Sequence, residues 1–130
     1  MEKIAKILII DDDPNFVEAT KAILENKSYE VVAAYDKNEG MEKINSERPD
    51  LILLDIMMEK LDDGFNICYK LKHDPELKKI PVLAISAITE KTGLKFSSET
   101  NGEYFEADDY VEKPVKADDL LERVENLLKK

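Results

Sequence analysis

A chain of 130 residues can bury about two thirds of its unfolded surface, enough for one hydrophobic core, and we expect a single domain over residues 1–130. Its 19 Lys and Arg against 29 Asp and Glu give a net charge of -10, which argues against nucleic-acid binding because phosphates need clustered cations. The first residues are charged and precede only a short apolar run, so neither a signal peptide nor a membrane span is predicted, and the cytoplasm is the expected location.

The first strand and helix are predicted from residue 6 onward. Lys6–Ile10 is a short β-branched, apolar run, which favours a buried strand, and three acids follow it. Asp13 and Pro14 have the residue types preferred at the N-cap and first position of a helix, which we expect to reach about Lys27. The side chains at helical spacing within it are Phe16, Thr20, Ile23 and Leu24.

A second strand and helix follow the turn residue Ser28. Tyr29–Ala34 has the β-branched content that is typical of a strand. A helix is expected to open at Asp36 or Lys37 and to end before Pro49, because the residue before a proline disfavours helical geometry.

The central strand is predicted at Asp50–Asp55, whose inner residues are apolar and whose last residue is an acid. So short an apolar run, bounded by Pro49 and by acids, is typical of a parallel strand that is covered on both faces. Ligands of open α/β sheets bind outside the carboxyl ends of the strands, so Asp55 lies where chemistry is usually done. The alternative is that Asp55 only caps the turn after the strand.

The next unit begins with a loop over Ile56–Asp63 and continues as a helix over about Gly64–His73, which Asp74-Pro75 ends. A fourth strand is predicted at Ile80–Ile85, with its proline near the start where it is tolerated. Ser86 follows that strand.

The last part of the chain is less regular. Thr89 to about Tyr104 is polar with few apolar anchors, and a short or mobile helix is expected there. Asp109–Glu112 predicts a fifth strand that leads into Lys113. A closing helix is indicated by apolar residues at helical spacing, namely Leu120, Leu121, Val124, Leu127 and Leu128.

Strands and helices in strict alternation predict an α/β fold with a doubly wound, all-parallel (βα)5 sheet and right-handed crossovers. The carboxyl ends of its strands then lie at one edge of the sheet. The residues expected at that edge with polar chemistry are Asp11, Asp12, Asp55, Ser86 and Lys113.

These residue types together indicate phosphoryl transfer. Converging carboxylates repel one another unless a divalent cation lies among them, and Mg²⁺ favours such ligands. Lys113 and Ser86 flank Asp55 and can hold two phosphoryl oxygens. Because the chain offers no Ser-His or Cys-His pair, a carboxylate is the expected nucleophile, and its product is an aspartyl phosphate.

Motifs at four predicted strand ends resemble those of the receiver domain of bacterial response regulators, and the resemblance covers almost the whole chain. The motifs are Leu8–Pro14, Asp50–Asp55 with Met58 and Asp63–Gly64, Pro81–Ala87, and Asp108–Pro114. The resemblance implies a flavodoxin-like strand order 2-1-3-4-5. It also implies a signalling domain that catalyses only its own phosphorylation and dephosphorylation.

The resemblance assigns roles residue by residue. It implies that Asp55 is the phosphoacceptor, Ser86 the hydroxyl switch, Lys113 the cation that pairs with the phosphate, and Tyr110 the aromatic switch that moves inward. The metal ligands it implies are Asp12 and Asp55 directly, Asp11 mainly through water, and the Met57 backbone carbonyl. For Tyr110, an ordinary amphipathic strand residue is the alternative.

The same resemblance implies the partners. They are a sensor histidine kinase or a histidine phosphotransfer protein that supplies the phosphoryl group, and a downstream protein or output domain. A phosphorylation-dependent homodimer is a further expectation. No nucleic acid and no membrane is expected to bind this chain.

The resemblance also implies a slow loss of the phosphoryl group. In the family, the side chains two residues past the phosphoacceptor and two past the hydroxyl switch influence the hydrolytic water. Here they are Met57 and Ile88, which cannot orient water.

Two alternatives to a phosphorylated receiver remain. A haloacid-dehalogenase-like phosphatase would use Asp11 as its nucleophile and Asp13 as its acid, although Pro14 makes Asp13 a better N-cap. A receiver-like scaffold that is never phosphorylated is the other, and failure to bind Mg²⁺ would support it.

Overall fold

The computed structural model describes residues 5–55, 67, 69–86, 108–112 and 115–129. They form a parallel sheet of five strands in the order β2-β1-β3-β4-β5, as predicted. The strands are β1 (Lys6–Ile10), β2 (Glu30–Ala34), β3 (Leu51–Asp55), β4 (Val82–Ser86) and β5 (Asp109–Glu112). The helices with defined bounds are α1 (Pro14–Glu25), α2 (Lys37–Glu47) and α3 (Ala117–Leu128). Residues 67 and 69–72 are also helical.

The boundaries of the fourth strand differ from the prediction by two residues at its start. The Ile80 N–H donates to the Leu77 carbonyl at 3.0 Å, so Ile80 still belongs to the preceding turn. Pro81 has no N–H to offer the sheet, and regular pairing begins at Val82. At the other end Ser86 is the last strand residue, paired opposite Glu112, rather than the first residue beyond the strand.

Two separate cores lie on the two faces of the sheet. One packs α2 and the side chains of Ile67, Leu71 and Leu77 against alternate strand residues such as Ile10 and Leu54. The other packs α1 and α3 against Ile9 and Leu53. Every residue of β3 is buried, which accounts for its unbroken apolar sequence. Helices on both faces of a parallel sheet are the predicted doubly wound architecture.

The ends of α1 and α2 follow local sequence rules. The Asp13 carboxylate accepts the N–H groups of Asn15 and Phe16 at 3.0 and 3.4 Å, so it is the N-cap that was predicted. The buried residues of α1 are Val17, Thr20 and Leu24. Phe16 and Ile23, which also follow the predicted helical spacing, are half-buried and pack against the same core. Arg48 ends α2 in the left-handed region with φ 45° before Pro49.

Several predictions fall wholly or partly outside the described residues. The loop over Ile56–Asp63, the start of the helix at Gly64 and the irregular stretch Thr89–Tyr104 lie there. The helical residues 67 and 69–72 agree with the C-terminal part of the helix predicted over Gly64–His73, and His73 lies in the turn that ends it. Within the described ranges, no helix has the length and apolar content that a membrane crossing requires.

The amino edge of the sheet, where the strands begin, is fastened by charged side chains. Lys6 Nζ lies 3.0 Å from Glu47 Oε1 at the end of α2, and the Lys6 N–H donates to Asp50 Oδ2 at 2.8 Å. Lys72 and Asp108 form a second ion pair at 2.7 Å. The acids at this edge therefore join neighbouring elements of the fold.

A further ion pair joins β5 to the closing helix. Arg123 of α3 donates to Asp109 Oδ1 at 2.8 Å and to Asp119 Oδ1 at 3.0 Å. The same Asp109 oxygen accepts the Tyr110 N–H at 2.8 Å. These bonds fasten the start of β5 to the closing helix.

Candidate functional site

Two buried carboxylates meet at the carboxyl edge of the sheet. Asp11 directly follows β1, and Asp55 is the last residue of β3. The two strands are adjacent and parallel, and Ile10 of β1 is paired opposite Leu54 of β3. The residues that follow this pair in the chain are Asp11 and Asp55. Asp11 is 0% exposed and Asp55 is 3% exposed. A carboxylate this far from water needs hydrogen bonds or a cation to compensate for its lost hydration.

Local hydrogen bonds hold Asp11 in place. Its backbone N–H continues the sheet by donating to the Ala34 carbonyl at 3.1 Å, and its Oδ1 accepts the Asp13 N–H at 2.9 Å. Asp12, between them, is exposed. The turn after β1 therefore buries the carboxylate of Asp11 and leaves that of Asp12 exposed to solvent.

Asp11, Asp12 and Asp55 each offer a carboxylate oxygen, and these oxygens lie within 4.8 Å of one another. We refer to the three residues as the acid cluster. Oxygen-only ligands with a high negative charge suit a hard divalent cation such as Mg²⁺ better than a softer metal, which favours nitrogen or sulfur. The donor set thus fits the predicted cation, and it contains the three aspartates that the sequence predicted for it.

The structure describes only some of the other residues that were predicted for the site. Ser86 occupies the last position of β4, one residue past the partner of Asp55 in that strand, Ile85. This backbone register places Ser86 at the same edge as the acid cluster. Met57, Lys113 and Ile88 lie outside the described residues, so their predicted roles remain predictions.

Tyr110 lies on β5 opposite Ala84. Its side chain is half-buried and packs against the core that contains Leu54, on the face opposite α1. It alternates with Val111, which points to the other core. The position suits both the switch role and the alternative of an ordinary strand residue.

Asp13 has a separate role from the acid cluster. Its carboxylate is engaged by two N–H groups of the first turn of α1. The phosphatase alternative requires Asp13 as its acid, whereas the structure engages this carboxylate as the N-cap of α1.

The sequence did not predict the bonds of Lys72 to Asp108 and to the Ile80 carbonyl, which precedes β4. Asp108 was noted only as part of a motif, and the two residues are 36 positions apart. No helical or strand spacing links positions so distant. Lys72 is only partly buried, so its residue type gave no signal for the contact.

The chain is similar to known proteins over almost its whole length. Residues 7–125 match the family described as the response regulator receiver domain. The "DNA-binding dual master transcriptional regulator RpaA" of Synechocystis is 37% identical over 125 residues, which are 96% of this chain and 49% of that protein. The chain spans about half the length, or less, of the curated relatives that it matches.

Solved structures are similar over nearly the full chain. A putative response regulator from Chloroflexus aurantiacus superposes with a TM-score of 0.85 at 30% identity, covering 98% of this chain and 100% of that one. A CheY-like response regulator receiver domain protein from Methanospirillum hungatei gives a TM-score of 0.81 at 29% identity, covering 99% and 95% of the two chains. The sheet order and both helical layers therefore agree with those of known receiver domains.

Proposed function

This chain belongs to the response regulator receiver domain family of two-component systems, and we propose that Asp55 accepts a phosphoryl group there in a Mg²⁺-dependent reaction. One observation carries the proposal. The acid cluster brings three carboxylate oxygens within 4.8 Å of one another, with Asp55 almost fully buried at the end of the central strand. Like charges held so close to one another favour a divalent cation and the group that it binds.

In the proposed reaction, an Asp55 carboxylate oxygen attacks phosphorus in line with the leaving group. The new bond joins Asp55 to phosphorus, and the bond from phosphorus to the donor breaks. The donor's leaving atom keeps the electron pair of that bond. Asp55 needs no base because it is an anion already. Mg²⁺, when held by Asp11, Asp12, Asp55 and the Met57 carbonyl, would neutralise charge on the phosphoryl oxygens.

We assign the remaining residues to the phosphoryl oxygens. The Lys113 ammonium pairs with one oxygen and the Ser86 hydroxyl donates to another, and Tyr110 then moves inward beside Ser86. The backbone register supports this assignment, because Ser86 is paired opposite Glu112, the residue before Lys113. The phosphoryl group thus selects one of two arrangements of β4 and β5, which is a population shift rather than a new fold.

The proposed partners follow from this chemistry. A sensor histidine kinase or a histidine phosphotransfer protein donates the phosphoryl group in the cytoplasm, and a downstream protein or output domain reads the switched face. A phosphorylation-dependent homodimer is a further proposal. Some relatives carry names of DNA-binding regulators, but the net charge of -10 gives this chain no reason to contact nucleic acid itself.

We also propose that the aspartyl phosphate is lost slowly, since Met57 and Ile88 cannot orient the hydrolytic water. Replacing both by polar residues, as Met57→Asn with Ile88→Glu, should shorten the lifetime of the adduct by about 10-fold. The decay is followed by intact mass after the phosphodonor is removed. An unchanged lifetime would remove this part of the proposal.

Intact mass spectrometry tests the central step. The chain is incubated with acetyl phosphate and Mg²⁺, beside Asp55→Asn and the same mixture with EDTA. We expect one phosphoryl adduct on the parent chain, labile to hydroxylamine, and none in either control. An adduct that persists in Asp55→Asn would move the acceptor elsewhere. No adduct on a parent chain that binds Mg²⁺ would favour a scaffold that is never phosphorylated.

A further inference from the structure

A glycine of α2 lies against the residue that precedes Asp11. Gly40 is buried, and a Cβ at this position would lie 3.0 Å from Ile10 Cδ1, 3.1 Å from its Cγ2 and 3.3 Å from its Cγ1. Carbon atoms in a packed core are ordinarily about 3.5 to 4.0 Å apart. The side chain of Ile10 thus already fills the space beside Gly40, and a larger residue there would have to displace either the strand or the helix.

A displacement on the strand side would reach Asp11 through the chain. Ile10 is fully buried and is paired on both sides, opposite Ala34 of β2 and Leu54 of β3. Because a side chain in a close-packed core has little free space around it, it yields to a new neighbour by shifting its own backbone. The next residue is Asp11, whose carboxylate belongs to the acid cluster.

A displacement on the helix side would reach Asp11 through β2. The N-cap Asp36 accepts the Glu39 N–H at 2.8 Å, and the Glu39 carboxylate accepts the Tyr35 N–H at 2.8 Å. These bonds fasten the first turn of α2 to the end of β2, so a shift of the helix is passed to that strand. The strand ends at Ala34, whose carbonyl accepts the Asp11 N–H at 3.1 Å.

We propose that Gly40 is a positioning residue for the Asp11 carboxylate. This inference rests on the proposed function. Because Gly40 has no side chain, α2 packs closely against the end of β1 and holds Asp11 where the acid cluster forms. Mg²⁺ requires a nearly ideal octahedron of oxygens, so small displacements of a ligand, or of a group that orients its waters, weaken its binding.

Gly40→Ala tests the proposal by adding one methyl group at this contact. Isothermal titration with MgCl₂ should show binding about 10-fold weaker than in the parent chain. Alanine favours a helix more than glycine does, which offsets part of the crowding, and circular dichroism in EDTA checks that the variant folds. Ile44→Val is the control, because it loses packing from a buried position of the same helix without crowding Ile10. It should bind Mg²⁺ like the parent.

A second substitution should rescue the first. Ile10→Val removes Cδ1, the atom nearest to the new methyl group. We expect the double variant Gly40→Ala with Ile10→Val to bind Mg²⁺ within about 2-fold of Ile10→Val alone, because the crowded contact is relieved. If Gly40→Ala weakened binding equally with Ile10 and with valine at that position, the contact with Ile10 would not be the cause, and the inference would be overturned.

NMR of the metal-free chain reports the position of Asp11 directly. The Asp11 amide proton is bonded to the Ala34 carbonyl, so its chemical shift follows the geometry at the end of β1. In EDTA, Gly40→Ala should move this signal more than Ile44→Val does. Signals of the folded state remain separate from those of unfolded chains, so the measurement holds even for a destabilised variant. An Asp11 amide that does not move in Gly40→Ala would contradict the proposed displacement.

The titrations also separate the inference from the proposed function. Mg²⁺ affinity like that of the parent in Gly40→Ala, or an equal loss in Ile44→Val, would overturn the positioning role and leave the proposed phosphoryl site intact. A parent chain that does not bind Mg²⁺ would instead overturn the proposed function, and the inference with it.

Discussion

Carboxylates are used in opposite ways at the two edges of the sheet. At the amino edge, Glu47, Asp50 and Asp108 each accept a bond from a lysine side chain or a backbone N–H at 2.7 to 3.0 Å. At the carboxyl edge, Asp11 also accepts a backbone N–H, at 2.9 Å, but the acid cluster in addition brings three carboxylate oxygens within 4.8 Å of one another. Acids paired with donors hold elements together, whereas acids gathered together oppose folding until a cation joins them. The same residue type thus joins elements of the fold at one edge and forms a candidate cation site at the other.

The largest difference between the edges should be in Mg²⁺ affinity. Asp12→Asn removes one charge from the acid cluster, and we expect it to weaken Mg²⁺ binding by about 10- to 100-fold. Asp50→Asn, at the amino edge, is the matched control and should bind Mg²⁺ like the parent chain. Isothermal titration with MgCl₂ measures both. Equal weakening in the two variants would show that net charge, rather than the cluster, attracts the ion.

The next effect concerns stability at the amino edge. Asp108→Ala leaves the Lys72 ammonium and the Val82 N–H without the oxygen that they share, and should lower the free energy of unfolding by about 2 kcal/mol. Urea unfolding in EDTA measures the loss. Glu122→Ala, an exposed acid on α3, is the control and should change stability little. If Asp108→Ala were as stable as the parent, the amino-edge pair would not fasten the fold.

The smallest expected effect is the pH dependence that the pair of Lys6 and Glu47 gives to the free energy of unfolding. The hydrogen bond from Lys6 lowers the pKa of Glu47 below its ordinary value, and the same bond raises the pKa of Lys6. For Glu47, the folded-state pKa is the lower one. Its contribution to stability is therefore present above the unfolded pKa and is lost as the pH falls through the folded one.

For Lys6 the sign is reversed, and its contribution is lost as the pH rises through its raised pKa. Glu47→Gln should therefore flatten the fall in unfolding free energy on the acid side, relative to the parent. Urea unfolding between about pH 3 and pH 6 checks this, with Glu122→Gln as the exposed control. A slope in Glu47→Gln equal to that of the parent would contradict the assignment.

The sequence predicted the carboxyl edge far better than the amino edge. Short apolar runs that end in Asp11 and Asp55 locate buried strands and their exits, and parallel pairing then brings the exits together. The start of β4 was misplaced because Ile80 reads as a strand residue, although its N–H is bonded within a turn. The bond between Lys72 and Asp108 joins residues 36 positions apart, and no periodic pattern marks such a contact.

If the acid cluster is a cation site, it should oppose folding until Mg²⁺ binds. The most direct test measures the effect of Asp12→Asn on the free energy of unfolding, first in EDTA and then in saturating Mg²⁺. In EDTA the variant should be more stable than the parent by about 1 kcal/mol, because like charges repel less. In Mg²⁺ it should be less stable, because the parent gains more from the ion. A change of the same sign under both conditions would contradict the claim.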